Sequence, residues 1–282
     1  ILIEIFIIKI VYQNLLYFIA IKLNFYFMSI EFIFSGFVVG LLVGLTGVGG
    51  GSLMTPLLVL VFKFPTAIAI GTDLLYAAIT KSAGVISHSR LNNIEWKIVK
   101  NLMIGSIPAS FFTTYYLKGI DLYAFENVEI INFFLGIALI LTSFAVILQP
   151  FILKKSRKKI INDEKNTTIL TISLGLLLGV LVTLTSVGAG ALGVTALILL
   201  YPSLSIKKVI GTDIAHAVPL TLFAGLGHLN LGTVNGFLLL SLLIGSIPGI
   251  SLGSNLSAKI DEKWLRFILA IVLLIVGIQL IK

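Results

Sequence analysis

Leu45-Thr46-Gly47-Val48-Gly49-Gly50-Gly51-Ser52 interrupts an apolar segment that runs from Ile30 to Phe62. Four of these eight residues are glycine, with no side chain to pack. Glycine in a helix interior is costly, and open backbone at membrane depth is tolerated only where it is buried in protein or lines a site. The feature returns 139 residues later as Leu184-Thr185-Ser186-Val187-Gly188-Ala189-Gly190. Two glycine-interrupted apolar segments at matching positions of two halves are the sequence mark of a transporter's binding site.

Working outward, the composition fits a membrane. Of 282 residues, 58% are hydrophobic and 11% charged, against about 25% charged in soluble domains. Several apolar runs approach the ~20 residues needed to cross a bilayer. They are continuous rather than alternating, which excludes a β-barrel. The expected fold class is all-α and polytopic. The chain has no cysteine, so thiol chemistry, disulfides and thiolate metal sites are excluded. The net charge of +8 lies mostly in short loops between apolar runs, so it reports orientation rather than nucleic-acid binding.

Residues 1–27 read either as an additional interrupted helix or as an extension upstream of Met28, and no function is assigned to them. Repeat 1 is expected over 28–150, with Pro150 ending its last helix. A basic linker follows over 151–167, carrying Lys154, Lys155, Arg157, Lys158, Lys159 and Lys165, and repeat 2 over 168–282. At a constant offset of 140, Gly71-Thr72-Asp73 falls on Gly211-Thr212-Asp213, His88 on His228, and Gly105-Ser106-Ile107-Pro108 on Gly245-Ser246-Ile247-Pro248. That agreement marks a duplication.

Basic residues indicate how the halves are oriented. If every apolar segment crossed once, basic loops would fall on opposite sides in the two halves, against the positive-inside bias. If each glycine-cut segment is a re-entrant hairpin, the halves are inverted. Fourteen basic residues, including Arg90, Lys97, Lys100, Lys207, Lys208, Lys259, Lys263 and Arg266, then lie in the cytoplasm, and Lys63, Lys118 and Lys282 outside. The linker is then cytoplasmic, the C-terminus is outside, and the two breaks approach each other near the midplane.

Each break exposes backbone N–H groups next to the N-terminus of the half-helix that follows, a combination that attracts an anion. The competing reading is that these glycines serve only close helix packing. Candidate substrate contacts are Gly47, Gly49, Gly50, Gly51, Ser52, Ser186, Gly188 and Gly190, with Thr72 and Thr212 as hydroxyl donors. Asp73 and Asp213 stand inside apolar helices, where carboxylates are functional candidates by default. They suit proton coupling or support of the glycine loops, and a structural capping role is the alternative. Lys81 corresponds to Thr221 in the other half and is expected either to snorkel toward the cytoplasm or to attract substrate. His88 and His228 are expected to cap helix ends or sit at the interface. His216 corresponds to Tyr76 and is a weaker candidate. Pro108 and Pro248 are expected to kink their helices. No metal-ligand set, cofactor motif or nucleophile constellation is apparent, so an enzyme is not expected. Gly47-Val48-Gly49-Gly50-Gly51-Ser52 lacks both the last glycine of a dinucleotide fingerprint and its βαβ setting.

The doubled glycine-rich break, the Gly-Thr-Asp stretch opening the next helix, and the Gly-Ser-Ile-Pro helix together resemble the TauE/SafE sulfite exporter family, also called TSUP, from Met28 to Ile281. The resemblance implies a secondary transporter in the cell membrane that moves a sulfur-containing anion such as sulfite, a sulfonate or sulfoacetate, coupled to protons. Ser186 and Ala189 replace Gly47 and Gly50, which speaks against a symmetric anion cage. The alternative functions are a cation or metal permease built on Asp73 and Asp213, and a non-transporting membrane protein. Expected partners are the small anion, protons and the lipid bilayer, with no nucleic acid.

Overall fold

The structure, a computed structural model, describes residues 30–45, 51–156, 164–256 and 262–282. Among these it is all-helical: α1 (Ile30–Leu45), α2 (Gly51–Leu60), α3 (Thr66–Arg90), α4 (Trp96–Lys118), α5 (Phe125–Ser156), α6 (Glu164–Thr185), α7 (Ala191–Leu200), α8 (Ile206–Asn230), α9 (Gly236–Leu256) and α10 (Glu262–Ile281). Five of them, α5, α6, α8, α9 and α10, are long and apolar enough to cross a membrane, whereas α1 and α7 are shorter apolar helices. Phe144, Ile268 and Ile275 on α5 and α10 are exposed, as side chains facing lipid would be.

The glycine-cut segments fold back on themselves. Phe32 near the start of α1 packs on Phe62 and Phe64 beyond the end of α2, with ring centroids 5.0 and 5.7 Å apart. In the second half the Thr171 hydroxyl on α6 lies 2.7 Å from the Tyr201 hydroxyl just past α7. Each pair is therefore a hairpin whose outer ends meet.

Small residues set the helix crossings, and they do so across the halves. Ideal Cβ atoms at Gly36 and Gly40 of α1 would lie 2.2 and 2.5 Å from the carbonyl oxygens of Leu242 and Ser246 on α9. At Gly175 and Gly179 of α6 they would lie 2.2 and 2.4 Å from those of Leu102 and Ser106 on α4. These are glycine-every-fourth-residue seams, which let helix backbones touch. Leu102 and Ser106 correspond to Leu242 and Ser246 at the same offset of 140, so each hairpin is gripped by the other half. The Gly-Ser-Ile-Pro stretch gains its meaning here: Gly105 and Gly245 face the carbonyls of Ile172 and Ile33 at 2.0 and 1.8 Å from an ideal Cβ.

Helices α3 and α8 form the centre and run antiparallel, since Gly225 packs on Leu75 and Gly84 on Ile214. Helices α5 and α10 flank it, tied by Ser143 Oγ donating to Ala270 O at 2.7 Å and Arg266 Nη1 to Gln149 Oε1 at 2.9 Å. One boundary differs from expectation. Pro150 does not end its helix, and α5 continues to Ser156. Proline removes one backbone donor and disturbs one turn, and a long apolar helix absorbs that, as α2, α4, α8 and α9 also do at Pro56, Pro108, Pro219 and Pro248.

Candidate functional site

The Gly-Thr-Asp triplets divide three tasks among adjacent residues. Gly71 admits the carbonyl of Thr233, and Gly211 that of Asn93, each about a van der Waals contact too close for any side chain. Thr72 Oγ1 accepts from Asn235 N at 3.1 Å, and Thr212 Oγ1 from Glu95 N at 3.0 Å. The loop between α3 and α4 thus docks on α8, and the loop between α8 and α9 docks on α3. Asn92 (φ 52°) and Gly232 (φ 72°) make matching left-handed turns in those loops. Lys208 also pairs with Glu95 at the first of them. The third residue of each triplet, the aspartate, turns toward the hairpin.

Asp73 and Asp213 are fully buried. Thr55 on α2 donates to Asp73 Oδ2 at 2.6 Å, while Asp73 Oδ1 has no hydrogen-bond partner. The Ser186 hydroxyl, from the second break, faces this carboxylate and is itself unpartnered. Asp213 Oδ1 is also unpartnered and lies where a Cβ on Gly193 would be, 2.0 Å away. The Gly190 N–H points at the same carboxylate. In the antiparallel register of α3 and α8 the two carboxylates are offset by roughly 20 Å at the usual helical rise.

Lys81 lies between them. It is buried at 8% exposure, and Nζ donates to Ala189 O at 2.8 Å. Its ammonium interacts electrostatically with Asp213 first and Asp73 second. The expected snorkelling of Lys81 toward the cytoplasm is therefore corrected: the second break supplies a carbonyl inside the bundle, and a buried ammonium takes it rather than leave a donor unpaired. The position matched to it, Thr221, bonds only the carbonyl of Ala217 on its own helix, at 2.8 Å.

The second break follows the groove between α3 and α8. Ser186 (φ 60°), Gly188 (φ 127°) and Gly190 (φ 135°) all take left-handed backbone within five residues. Thr185 Oγ1 accepts from Val187 N at 3.1 Å, and Ser186 N donates to Val182 O at 2.7 Å. The N–H groups of Gly188, Ala189, Ala191 and Leu192 have no protein partner among the described residues. Those of Ala191 and Leu192 are the orphan donors expected at the start of α7, and those of Gly188 and Ala189 belong to the break itself. Of the first break, Gly47, Gly49 and Gly50 lie outside the described residues, as does the Ser52 side chain. Gly51 and Ser52 form the first two residues of α2.

The histidines separate. His216 is fully buried, with Nε2 2.9 Å from Ser106 Oγ and Nδ1 unpartnered. His228 is buried too, joining Thr233 Oγ1 at 2.8 Å to Thr183 O at 3.0 Å, so of its two expected places it takes a helix end and not the interface. It thereby fastens the α8–α9 loop to the end of α6, one turn before the break. His88 at the end of α3 is half-buried, with Nδ1 unpartnered. Sequence reasoning passed over Thr55, Ser110 and Thr183, the last two hydrogen-bonded to each other at 2.8 Å. Thr55 was findable, since Thr195 stands at the matched position inside an equally apolar helix.

Among known proteins, the chain matches the family described as Sulfite exporter TauE/SafE over residues 32–280. It is 41% identical over 256 residues to the probable membrane transporter protein YjnA of Bacillus subtilis (strain 168), covering 90% of this chain and 100% of that protein. With the probable membrane transporter protein MJ0441 of Methanocaldococcus jannaschii it shares 28% identity over 277 residues, 92% of this chain and 98% of the relative. No solved structure matches it.

Proposed function

The chain belongs to the sulfite exporter TauE/SafE family and is a multi-pass membrane transporter, and on that premise we propose that it moves a small sulfur-containing anion, of the sulfite or sulfonate type, coupled to protons. The observation that carries this reading is the second break: four N–H groups in the break and the first turn of α7 have no protein partner among the described residues, and they lie beside a buried ammonium at Lys81. Orphan donors and the positive end of a helix dipole favour an anion, and the low-dielectric surroundings strengthen the attraction. Ser186, Gly188 and Gly190 shape the site. Asp73 and Asp213 flank it and carry the coupling proton. The Thr72 and Thr212 hydroxyls, engaged with the docked loops, hold the scaffold rather than the substrate.

The halves act as inverted repeats, with the hairpins opening to opposite faces. Antiparallel pairing of the matched helices α3 and α8 supports this, as does the placement of basic residues. The linker then faces the cytoplasm and the C-terminus the outside. Rocking of the two interlocked units about the α3–α8 seam provides alternating access. Flux of labelled sulfite into proteoliposomes of the purified full chain tests the reading. Saturable uptake that rises with an imposed pH gradient is expected. Uptake equal to that of empty liposomes, with folded protein, would refute it.

A further inference from the structure

We infer that a polar latch centred on His228 holds the groove between α3 and α8 shut at the end where α8 finishes, and that the resting protein opens at the opposite end, where α3 finishes. The inference rests on the transport reading above and adds which end is closed. Three helices and a loop make the latch. Thr183 on α6 donates from Oγ1 to Ser110 Oγ on α4 at 2.8 Å. The Thr183 carbonyl accepts from His228 Nε2 on α8 at 3.0 Å. His228 Nδ1 lies 2.8 Å from Thr233 Oγ1 in the α8–α9 loop. All four residues are buried. Thr233 in turn abuts α3, with its carbonyl oxygen and Oγ1 at 2.4 and 2.9 Å from an ideal Cβ on Gly71. The chain therefore ties α3 and α4 of the first half to α6 and α8 of the second. Thr183 stands one turn before Ser186, where the second break begins.

The opposite end repeats the backbone of this arrangement but not its side chains. Asn93, matched to Thr233 at the offset of 140, donates its N–H to His88 O at 2.9 Å, as Thr233 N does to His228 O at 3.1 Å. Asn93 O and His88 Nδ1 lie 2.1 and 2.9 Å from an ideal Cβ on Gly211, the counterpart of Gly71. Ile250 stands where Ser110 does, so that hydroxyl is gone. Gly44 stands where Thr183 does, at the offset of 139 that also relates Gly36 and Gly40 to Gly175 and Gly179. An ideal Cβ on Gly44 would lie 2.4 Å from Ile250 O, so backbone contact replaces the hydroxyl pair. His88 is only half-buried, and its Nδ1 has no partner among the described residues. Parting the helices at the His228 end strands a buried imidazole and two buried hydroxyls, whereas parting them at the His88 end strands none of these groups. That difference sets the resting direction. With the end of α8 outside, as the basic residues place it, the empty transporter faces the cytoplasm.

The chain has no cysteine, so single cysteines report which side is open. Ser186→Cys probes the groove beside the latch, and Asn230→Cys, at an exposed residue ending α8, identifies the side. The full chain, in intact cells and in inverted membrane vesicles, is treated with a membrane-impermeant methanethiosulfonate. From the side that labels Asn230→Cys, Ser186→Cys should react at least about 10-fold more slowly than from the other side. Adding His228→Phe should raise the slow rate at least about 10-fold. Adding His228→Gln should leave it low, because the amide can donate to the same carbonyl and accept from the same hydroxyl. Adding His88→Phe should change it by less than about twofold, since no latch bond is lost. Thr233→Val removes one partner of the imidazole, shifts labelling in the same direction, and serves where His228→Phe does not fold. A purely structural role would lower the melting temperature and leave the sidedness of labelling unchanged. Faster labelling of Ser186→Cys through the Asn230 side than through the other, or an unchanged slow rate in folded His228→Phe or Thr233→Val, would overturn the latch and leave anion transport standing. The expected labelling shifts without flux of any anion would overturn the transport reading and leave the latch standing.

Discussion

Lys81 Nζ donates to Ala189 O over 2.8 Å, so a helix of the first half holds the interrupted backbone of the second. The carbonyl has no helical partner, because the chain leaves helix geometry between Thr185 and Ala191. The ammonium needs a partner because it is buried. Each group removes the other's desolvation cost, and a charge is thereby placed beside the open N–H groups of α7.

Loop docking on the triplets should dominate over the surface ion pair beside it. Thr212→Val leaves the Glu95 N–H without its acceptor and should cost about 1 to 2 kcal/mol. Lys208→Ala breaks a pair whose side chains are 40% and 34% exposed, and should cost no more than about 1 kcal/mol, less at high salt. Thermal unfolding of the two variants in detergent compares them, and a larger loss in Lys208→Ala would contradict the assignment.

Close helix crossings predict position-dependent sensitivity to a single methyl group. Gly105→Ala and Gly245→Ala place a Cβ 2.0 and 1.8 Å from a backbone oxygen that cannot rotate away. Each should force α4 from α6 or α9 from α1 and cost at least about 1 to 3 kcal/mol. Gly236→Ala meets nothing within 4 Å and should be neutral. Melting temperatures measured side by side check the contrast.

Gly193 separates stability from transport. Its added Cβ would fall 2.0 Å from Asp213 Oδ1, a side-chain atom that can move. Gly193→Ala should therefore fold, yet lose about 10-fold or more of its transport if Asp213 carries the proposed coupling, because its carboxylate is displaced by an ångström or so. Normal flux in the variant would show that the position of Asp213 is unimportant.

Ser106→Ala should reveal the value of the His216 bond. Removing the hydroxyl leaves Nε2 buried without its partner at 2.9 Å, a cost of about 1 to 3 kcal/mol. Exchange of Ser246 for alanine should cost less, since the buried Tyr76 hydroxyl that faces it makes no hydrogen bond that could be lost and the Ser246 hydroxyl bonds Leu243 O on its own helix, at 3.4 Å. Unfolding by denaturant in mild detergent gives both values.

Much of the scaffold is legible from residues. Continuous apolar runs give the helices, and glycine clusters give the points where two of them stop. The sequence offset of 140 anticipates that Gly71 and Gly211 have matching surroundings. It does not say that those surroundings come from the opposite half, because an offset records equivalence and not contact. Thr72 and Thr212 show the same limit: a hydroxyl beside a buried carboxylate reads as a ligand donor, and that each also accepts an N–H from a loop of the other half is visible only in the fold. The burial of Lys81 and His228 could not be read either. Both depend on carbonyls, Ala189 O and Thr183 O, that only become available where α6 ends. Pro150 shows the limit of a local rule, since its helix continues where packing and apolar length outweigh one missing donor.

The most direct measurement is equilibrium binding of labelled sulfite to the purified chain beside Gly190→Ala, with folding of both verified by size-exclusion profile and melting. Gly190 caps α7 at φ 135° and ψ −108°, a conformation that alanine adopts only under strain. The account predicts saturable binding to the parent and at least about 10-fold weaker binding to the variant, because the orphan N–H groups are re-aimed. Equal affinity in two folded proteins would contradict it and place the anion elsewhere.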